Sequence, residues 1–80
     1  MMTIRTKLLC KELIEGEEIP REYWENFEFD IRSYVAHSEH DNGSVLYLSG
    51  LLVSMVIKLS FEELSEKLQI FNSFDTIGLN

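Results

Sequence analysis

The chain holds one cysteine, one proline and only seven basic residues among its eighty positions. A lone Cys10 excludes an intrachain disulfide and all but excludes a Cys-based zinc site. Seven bases against fourteen acids leave a net charge of −7. A protein that grips nucleic-acid backbone needs the opposite sign, so no direct nucleic-acid binding is expected. No apolar run reaches the roughly 20 residues of a membrane span. Met1 to Lys7 offers no long apolar core of a signal peptide. There is no Gly-rich phosphate loop and no Ser/His/Asp arrangement. These absences predict a soluble, cytoplasmic, non-enzymatic protein without cofactor or metal.

What is present is enough to fold. The chain is 45% apolar and 26% charged, as in an ordinary globular protein. Eighty residues make a single domain, 1–80, with little stability to spare.

The charge is unevenly placed. Between Glu12 and Asp30 lie eight acids and one base, Arg21, so this stretch carries the whole −7. The rest of the chain balances. Charge this dense repels itself and costs stability. A solvated, solubilising face is the simpler reading. The sharper one is a surface that meets a basic partner and speeds encounter with it.

Helical periodicity divides the chain into four segments. The first runs from about Thr3 to Glu15 and stops at Gly16. Met2, Leu9, Cys10, Leu13 and Ile14 share one helical face, whereas Ile4 and Leu8 fall opposite. The second opens at Pro20, a residue suited to a first helical turn. Glu17, Glu18 and Glu22 complement its dipole. Trp24, Phe27, Ile31, Tyr34 and Val35 form its apolar stripe, and Asn42-Gly43 marks a turn. Ser44 is placed to cap a third, nearly all-apolar helix over Val45–Leu59. Ser60 and Glu63 form a capping box that opens a fourth helix to about Phe71. The apolar tail, with Phe74, Ile77 and Leu79, is expected to pack back on the rest.

The pattern predicts an all-α fold, a compact four-helix bundle. An alternative stays open for residues 27–37 and 45–59. Phe27-Glu28-Phe29-Asp30-Ile31-Arg32 alternates at strand period, as do Val53–Met55 and Ile57–Leu59. Asn42-Gly43 and Ser49-Gly50 would then be hairpin turns. That alternative is α+β, with helices flanking a three-stranded antiparallel sheet.

Candidate chemistry is sparse. His37 and His40 lie one helical turn apart and could face a metal, but no third strong ligand cluster accompanies them. Capping of helix carbonyls is the simpler role. Lys7 and Lys11 could lower the pKa of the Cys10 thiol. No base or oxyanion pocket accompanies it, so a buried structural cysteine is expected. Glu15, Glu18, Glu22 and Glu25 would line one helical ridge, too solvated for acid–base catalysis. Phe29 would then stand exposed among acids, as an interface anchor does. A covered Phe29 is the competing reading.

The run Leu8-Leu9 … Leu13-Ile14-Glu15-Gly16-Glu17 … Ile19-Pro20-Arg21-Glu22-Tyr23-Trp24-Glu25-Asn26-Phe27 resembles the opening of colicin D-type immunity proteins. The likeness covers about residues 8–35. It implies a small helical bundle that covers the basic active site of a tRNA-cleaving toxin domain. It also implies that the acidic second helix, with Glu17, Glu18, Glu22 and Glu25, meets the toxin.

The leading expectation is an acidic immunity protein, a bacteriocin-type toxin inhibitor. It would mask the basic substrate groove of a nuclease toxin by charge mimicry. Its partner-binding residues would be Glu15, Glu17, Glu18, Glu22, Glu25 and Phe29. A phage or mobile-element inhibitor of a host nucleic-acid-handling complex would use the same surface. A helical oligomerisation module, homodimeric through the third helix, is the remaining reading.

Overall fold

Strand period, not helix period, organises most of this chain. The computed structural model describes the backbone of residues 2–79 and the side chains of residues 2–71. Five strands and one helix follow in order: β1 Thr3–Glu12, β2 Arg21–Asp30, β3 Tyr34–His40, β4 Gly43–Leu48, β5 Met55–Ile57 and α1 Phe61–Leu79. A short 3-10 turn, Ile31–Ser33, joins β2 to β3. The strands form one antiparallel sheet in the order β2-β1-β5-β4-β3.

The four-helix bundle is thus overturned. The α+β alternative also falls short, since it had three strands and a helix where β1 lies. With the bundle goes the apolar third helix as a dimer face: residues 45–59 are β4, an exposed loop and β5.

Alternation explains each strand. Ile4 and Leu8, misplaced on a helical wheel, share one face at period 2 with Thr6 and Cys10. Their partners across the hairpin include Phe29, opposite Ile4, and Phe27, opposite Thr6. On β4, Ser44, Leu46 and Leu48 are buried and Tyr47 is exposed. Ser44 caps no helix: its hydroxyl donates to the Leu59 carbonyl at 2.7 Å. Leu46 pairs with Met55 and Ser44 with Ile57, which continues the same face across β5.

The core is Ile4, Phe29, Leu46, Leu48, Ile57, Leu59 and Leu64. Leu64 comes from α1 and is fully buried, so the helix packs on this face of the sheet. The helix starts where the sequence signals it. Ser60 N–H donates to Glu63 Oε1 at 3.0 Å and Glu63 N–H donates to Ser60 Oγ at 3.1 Å. Those bonds, led by the one from the Ser60 backbone, hold the Glu63 carboxyl below its usual pKa. The expected packing of Phe74, Ile77 and Leu79 lies outside the described side chains.

The sheet cannot be flat. β2 and β3 are its two edges, yet only Ile31–Ser33 joins them. Three residues span at most about 10 Å. The edges must therefore curl towards each other at that end. Ile31 N–H donates to the Met2 carbonyl at 3.0 Å, and Ser49 N–H donates to the Ser33 carbonyl at 2.7 Å. At the other end β5 pairs with β1 only at Leu8. Beyond Cys10 and Tyr23 the hairpin runs on without a neighbouring strand, and the molecule measures 59 × 23 × 18 Å.

Gly43 shows how tightly β4 and β5 meet. Its φ is +148°, and a Cβ there would overlap the Ile57 carbonyl oxygen. Gly43→Ala is expected to cost about 2–4 kcal/mol, from backbone strain plus overpacking. Urea unfolding measures this, and a loss well under 1 kcal/mol would refute the close approach.

Candidate functional site

The acid-rich stretch is a hairpin arm, not a helical ridge. The connection between β1 and β2 starts with a tight turn in which Glu17 N–H donates to the Ile14 carbonyl at 3.0 Å. Gly16 occupies the third position with φ +89°, the conformation a type II turn demands. That turn, not a helix end, is the reason for this glycine. Glu15, Glu17 and Glu18 stand exposed in the connection.

The two sharpest β2 candidates separate. Glu22 lies opposite Lys11, and Glu25 lies opposite Leu8. They differ by an odd number of positions, so they occupy opposite faces of the hairpin. The common ridge of Glu15, Glu18, Glu22 and Glu25 is therefore corrected to an arm with acids at its tip and on both faces.

Phe29 is corrected too. It is 5% exposed, stacks near Phe27 with ring centroids 6.1 Å apart, and belongs to the core. It shares a face with Phe27 because strand period aligns i and i+2.

Ion pairing divides the acids. Glu28 accepts from Arg5 Nε at 3.1 Å, and Asp30 meets Arg32 at 2.7 Å. Both lie where the hairpin joins the core. At the tip, Glu17 has only a loose contact with Arg21 at 3.7 Å. Among the described residues Glu12, Glu15, Glu18, Glu22 and Glu25 have no ion-pair partner. Four of them lie on the free part of the arm or at its tip, and Glu25 lies just inside it, opposite Leu8.

Exposed apolar side chains accompany them. Leu13 and Ile19, both 79% exposed, flank the tip. Leu13 was expected on a core face. Leu51, Leu52 and Val53 are exposed in the loop between β4 and β5. β1 and β4 both run antiparallel to β5, so they point the same way. Strand reading of the Ser49-Gly50 turn inside the apolar run would have located this loop.

Cys10 departs from its expected setting. Lys7 and Lys11 sit at odd positions and face away from it. Partial burial, then the nearby Glu25 carboxylate, push its thiol pKa up. Glu25 similarly raises Tyr23, the cross-strand partner of Cys10. A raised thiol pKa opposes nucleophilic use.

His37 and His40 do not converge. On a strand, positions i and i+3 face opposite ways. His40 is exposed, and its Nδ1 accepts from Asn42 N–H at 3.0 Å. Among the described residues no group of three His, Cys, Asp or Glu could hold a metal. His37 instead joins β3 to α1. Its Nδ1 lies 2.7 Å from the Tyr34 hydroxyl and its Nε2 3.1 Å from Ser65 Oγ. The Ser65 hydroxyl donates to the Phe61 carbonyl at 2.8 Å, and His37 Nε2 lies 3.2 Å from that oxygen. The His37 ring also packs 4.3 Å from that of Phe61. A cleft of about 460 Å³ beside it is lined by Ile31, Arg32, Tyr34, His37 and Ser65 among others. Tyr34, His37 and Ser65 are engaged with one another, and Arg32 is held by Asp30. This constellation clamps helix to sheet.

His37→Ala is therefore expected to cost about 1–3 kcal/mol, since it strips partners from Tyr34 and Ser65. Thermal unfolding measures it, and an unchanged midpoint would deny the clamp. Asp30 gives a pH signature. The Arg32 side chain, then the Arg32 backbone N–H, lower its carboxyl from 3.8 to about 2. Between those values the unfolded chain takes up a proton that the folded chain refuses. This contribution is complete above pH 4 and is lost as pH falls towards 2. Asp30→Asn is expected to flatten the fall in melting temperature between pH 4 and pH 2. An equally steep fall in the variant would show that this pair carries none of it.

Comparison with protein-family models, curated proteins and solved structures finds no match. The residues of the colicin D-type resemblance, 8–35, form mainly β1 and β2, so the helical bundle it implied is absent.

Proposed function

We propose that this protein is a small acidic inhibitor that acts without catalysis on a nuclease toxin in the cytoplasm. The outer hairpin arm enters the toxin's basic substrate groove, and its carboxylates take the place of nucleic-acid phosphates. Lys and Arg of the groove pair with them. Leu13 and Ile19 supply apolar contact at the tip.

One observation carries this reading. Of the eight acids between Glu12 and Asp30, Glu28 and Asp30 at the hairpin base are ion-paired, Glu17 at the tip has a loose contact with Arg21, and the other five have no ion-pair partner among the described residues. Paired acids contribute to the fold. Those without an ion pair repel one another, with only the cross-strand neighbours Arg21 of Glu12 and Lys11 of Glu22 to offset it, and a basic partner would relieve that repulsion. Exposed leucine and isoleucine beside them suit a buried interface centre within a charged rim.

The test is inhibition of tRNA cleavage by a panel of basic-groove nuclease toxin domains. Inhibition of at least one domain is expected, weakening as salt rises, because exposed charges are screened over about 10 Å at 0.1 M. Glu15→Lys with Glu18→Lys should weaken inhibition at least about tenfold, on the order of 1.4 kcal/mol. The fold should be unchanged or slightly stabilised by the relief of repulsion. Equal inhibition by this variant would reduce the tip acids to a solubilising coat.

A further inference from the structure

The outer edge of β2 is open. β2 ends the sheet order, runs for ten residues, and keeps an unbroken register with β1 from Arg21 to Asp30. The opposite edge, β3, is blunted by a bulge at Val35 and by its packing against α1.

The phase of the ladder tells which groups of β2 point outward. Lys58 N–H donates to the Lys7 carbonyl at 2.8 Å. Odd residues of β1 thus bond towards β5, and even residues bond towards β2. Their β2 partners are Arg21, Tyr23, Glu25, Phe27 and Phe29. The N–H and C=O groups of Glu22, Trp24, Asn26 and Glu28 therefore face away from the sheet. No backbone hydrogen bond among the described residues joins them to another element.

Charge selects the occupant. A second copy pairing antiparallel over residues 21–29 would set Glu22 against Glu28 and Glu25 against its own counterpart, and the equally long register over residues 22–30 would set Glu22 against Asp30. Like charges directly opposite are destabilising. A strand carrying Lys or Arg would meet Glu22 and Glu28 on the face that α1 leaves uncovered. On that face the Lys58 ammonium already lies 5.5 Å from the Trp24 ring centre, so this tryptophan accepts a cation.

We infer that β2 is a docking edge for an extended basic segment of the partner, which adds as a sixth strand through the outward backbone groups of Glu22, Trp24, Asn26 and Glu28. The inference rests on the basic-partner reading above and specifies how that partner is held. Backbone bonds supply the attachment, and alternate Lys or Arg side chains supply the selection.

The probe is a synthetic peptide of alternating Lys and Val, as long as β2, with alternating Glu and Val as its counterpart. Amide hydrogen exchange reads the edge. The Lys–Val peptide should slow exchange at Glu22, Trp24, Asn26 and Glu28 at least about tenfold. Tyr23, Glu25 and Phe27, already bonded to β1, should change little. Asn26→Pro removes one outward N–H and no bond to β1, so it should abolish this protection while the protein stays folded. If that variant fails to fold, Glu22→Lys with Glu28→Lys gives the second measurement: preference should pass to the Glu–Val peptide. Protection confined to other residues would overturn the inference. So would protection that grows with protein concentration alone, which would mark a second copy as the occupant. Nuclease inhibition without edge protection would sink the docking edge and leave the inhibitor reading standing. Edge protection without inhibition of any nuclease would do the reverse.

Discussion

One helix cannot cover a sheet whose outer hairpin is ten residues deep. α1 places Leu64 over Ile4, Phe29, Leu46 and Ile57, and no residue on the outer arm is buried. Everything beyond Cys10 and Tyr23 must tolerate water on both faces. A two-stranded ribbon in water is marginal by itself. This one is anchored by continuity with the core and by the Leu9–Trp24 pair, with Lys58 over the indole. Polar side chains on both faces follow from the geometry. Their sign does not. A mixture of Lys and Glu would keep the ribbon wet at less cost in repulsion, and only two bases, Lys11 and Arg21, stand among the outer acids. The excess of one sign needs a reason outside the fold.

The helix at the C-terminal end was legible because its signal is local. A capping box states in four residues where a helix starts, and Ser60 and Glu63 make both of its bonds. The strands were harder to read for a physical reason. Trp24, Phe27, Ile31, Tyr34 and Val35 fit a helical stripe, but Phe27 and Phe29 with Ile31 fit a strand equally well. Short apolar sets satisfy both periods, and tertiary pairing decides. Pro20 opens a helix well, yet it also serves as the residue before an edge strand. The clue that discriminated was in β1. Ile4 and Leu8 had no place on a helical wheel, and a period of 2 gives them one. Similarly, Val45–Leu59 looked like a buried helix because apolar content alone does not distinguish a helix from two strands with a loop. Ser49-Gly50 marked the break, and Gly50 takes φ +82° there.

The charge of the site was legible, and its geometry was not. Counting acids between Glu12 and Asp30 locates the arm whichever element it forms. Deciding which acids are spoken for requires knowing what lies across the ladder. Arg5 opposite Glu28 is twenty-three positions away in sequence, and only the hairpin register brings them together. The same register moved Phe29 from surface to core and brought Leu13 out of it. Glu12, outside the expected site, stands opposite Arg21, which instead makes its loose contact with Glu17.

The arrangement also resolves a conflict that any long open edge creates. An unpaired strand of ten residues invites pairing with its own copies. Bulges or a covering helix would close it to every partner. Acidic side chains close it selectively. Glu22 and Glu25 oppose a second copy wherever they meet like charge, and on the proposed reading the same carboxylates lower the energy of a basic strand in that place. Under the proposed function, repulsion in the isolated chain and attraction to a basic partner are then one property of one set of residues. A substitution that relieves the first must weaken the second. The outer arm is therefore expected to resist stabilisation by charge balancing unless binding is given up, whereas the paired acids at the hairpin base, Glu28 in its contact with Arg5 and Asp30 with Arg32, contribute to the fold whether or not a partner is bound.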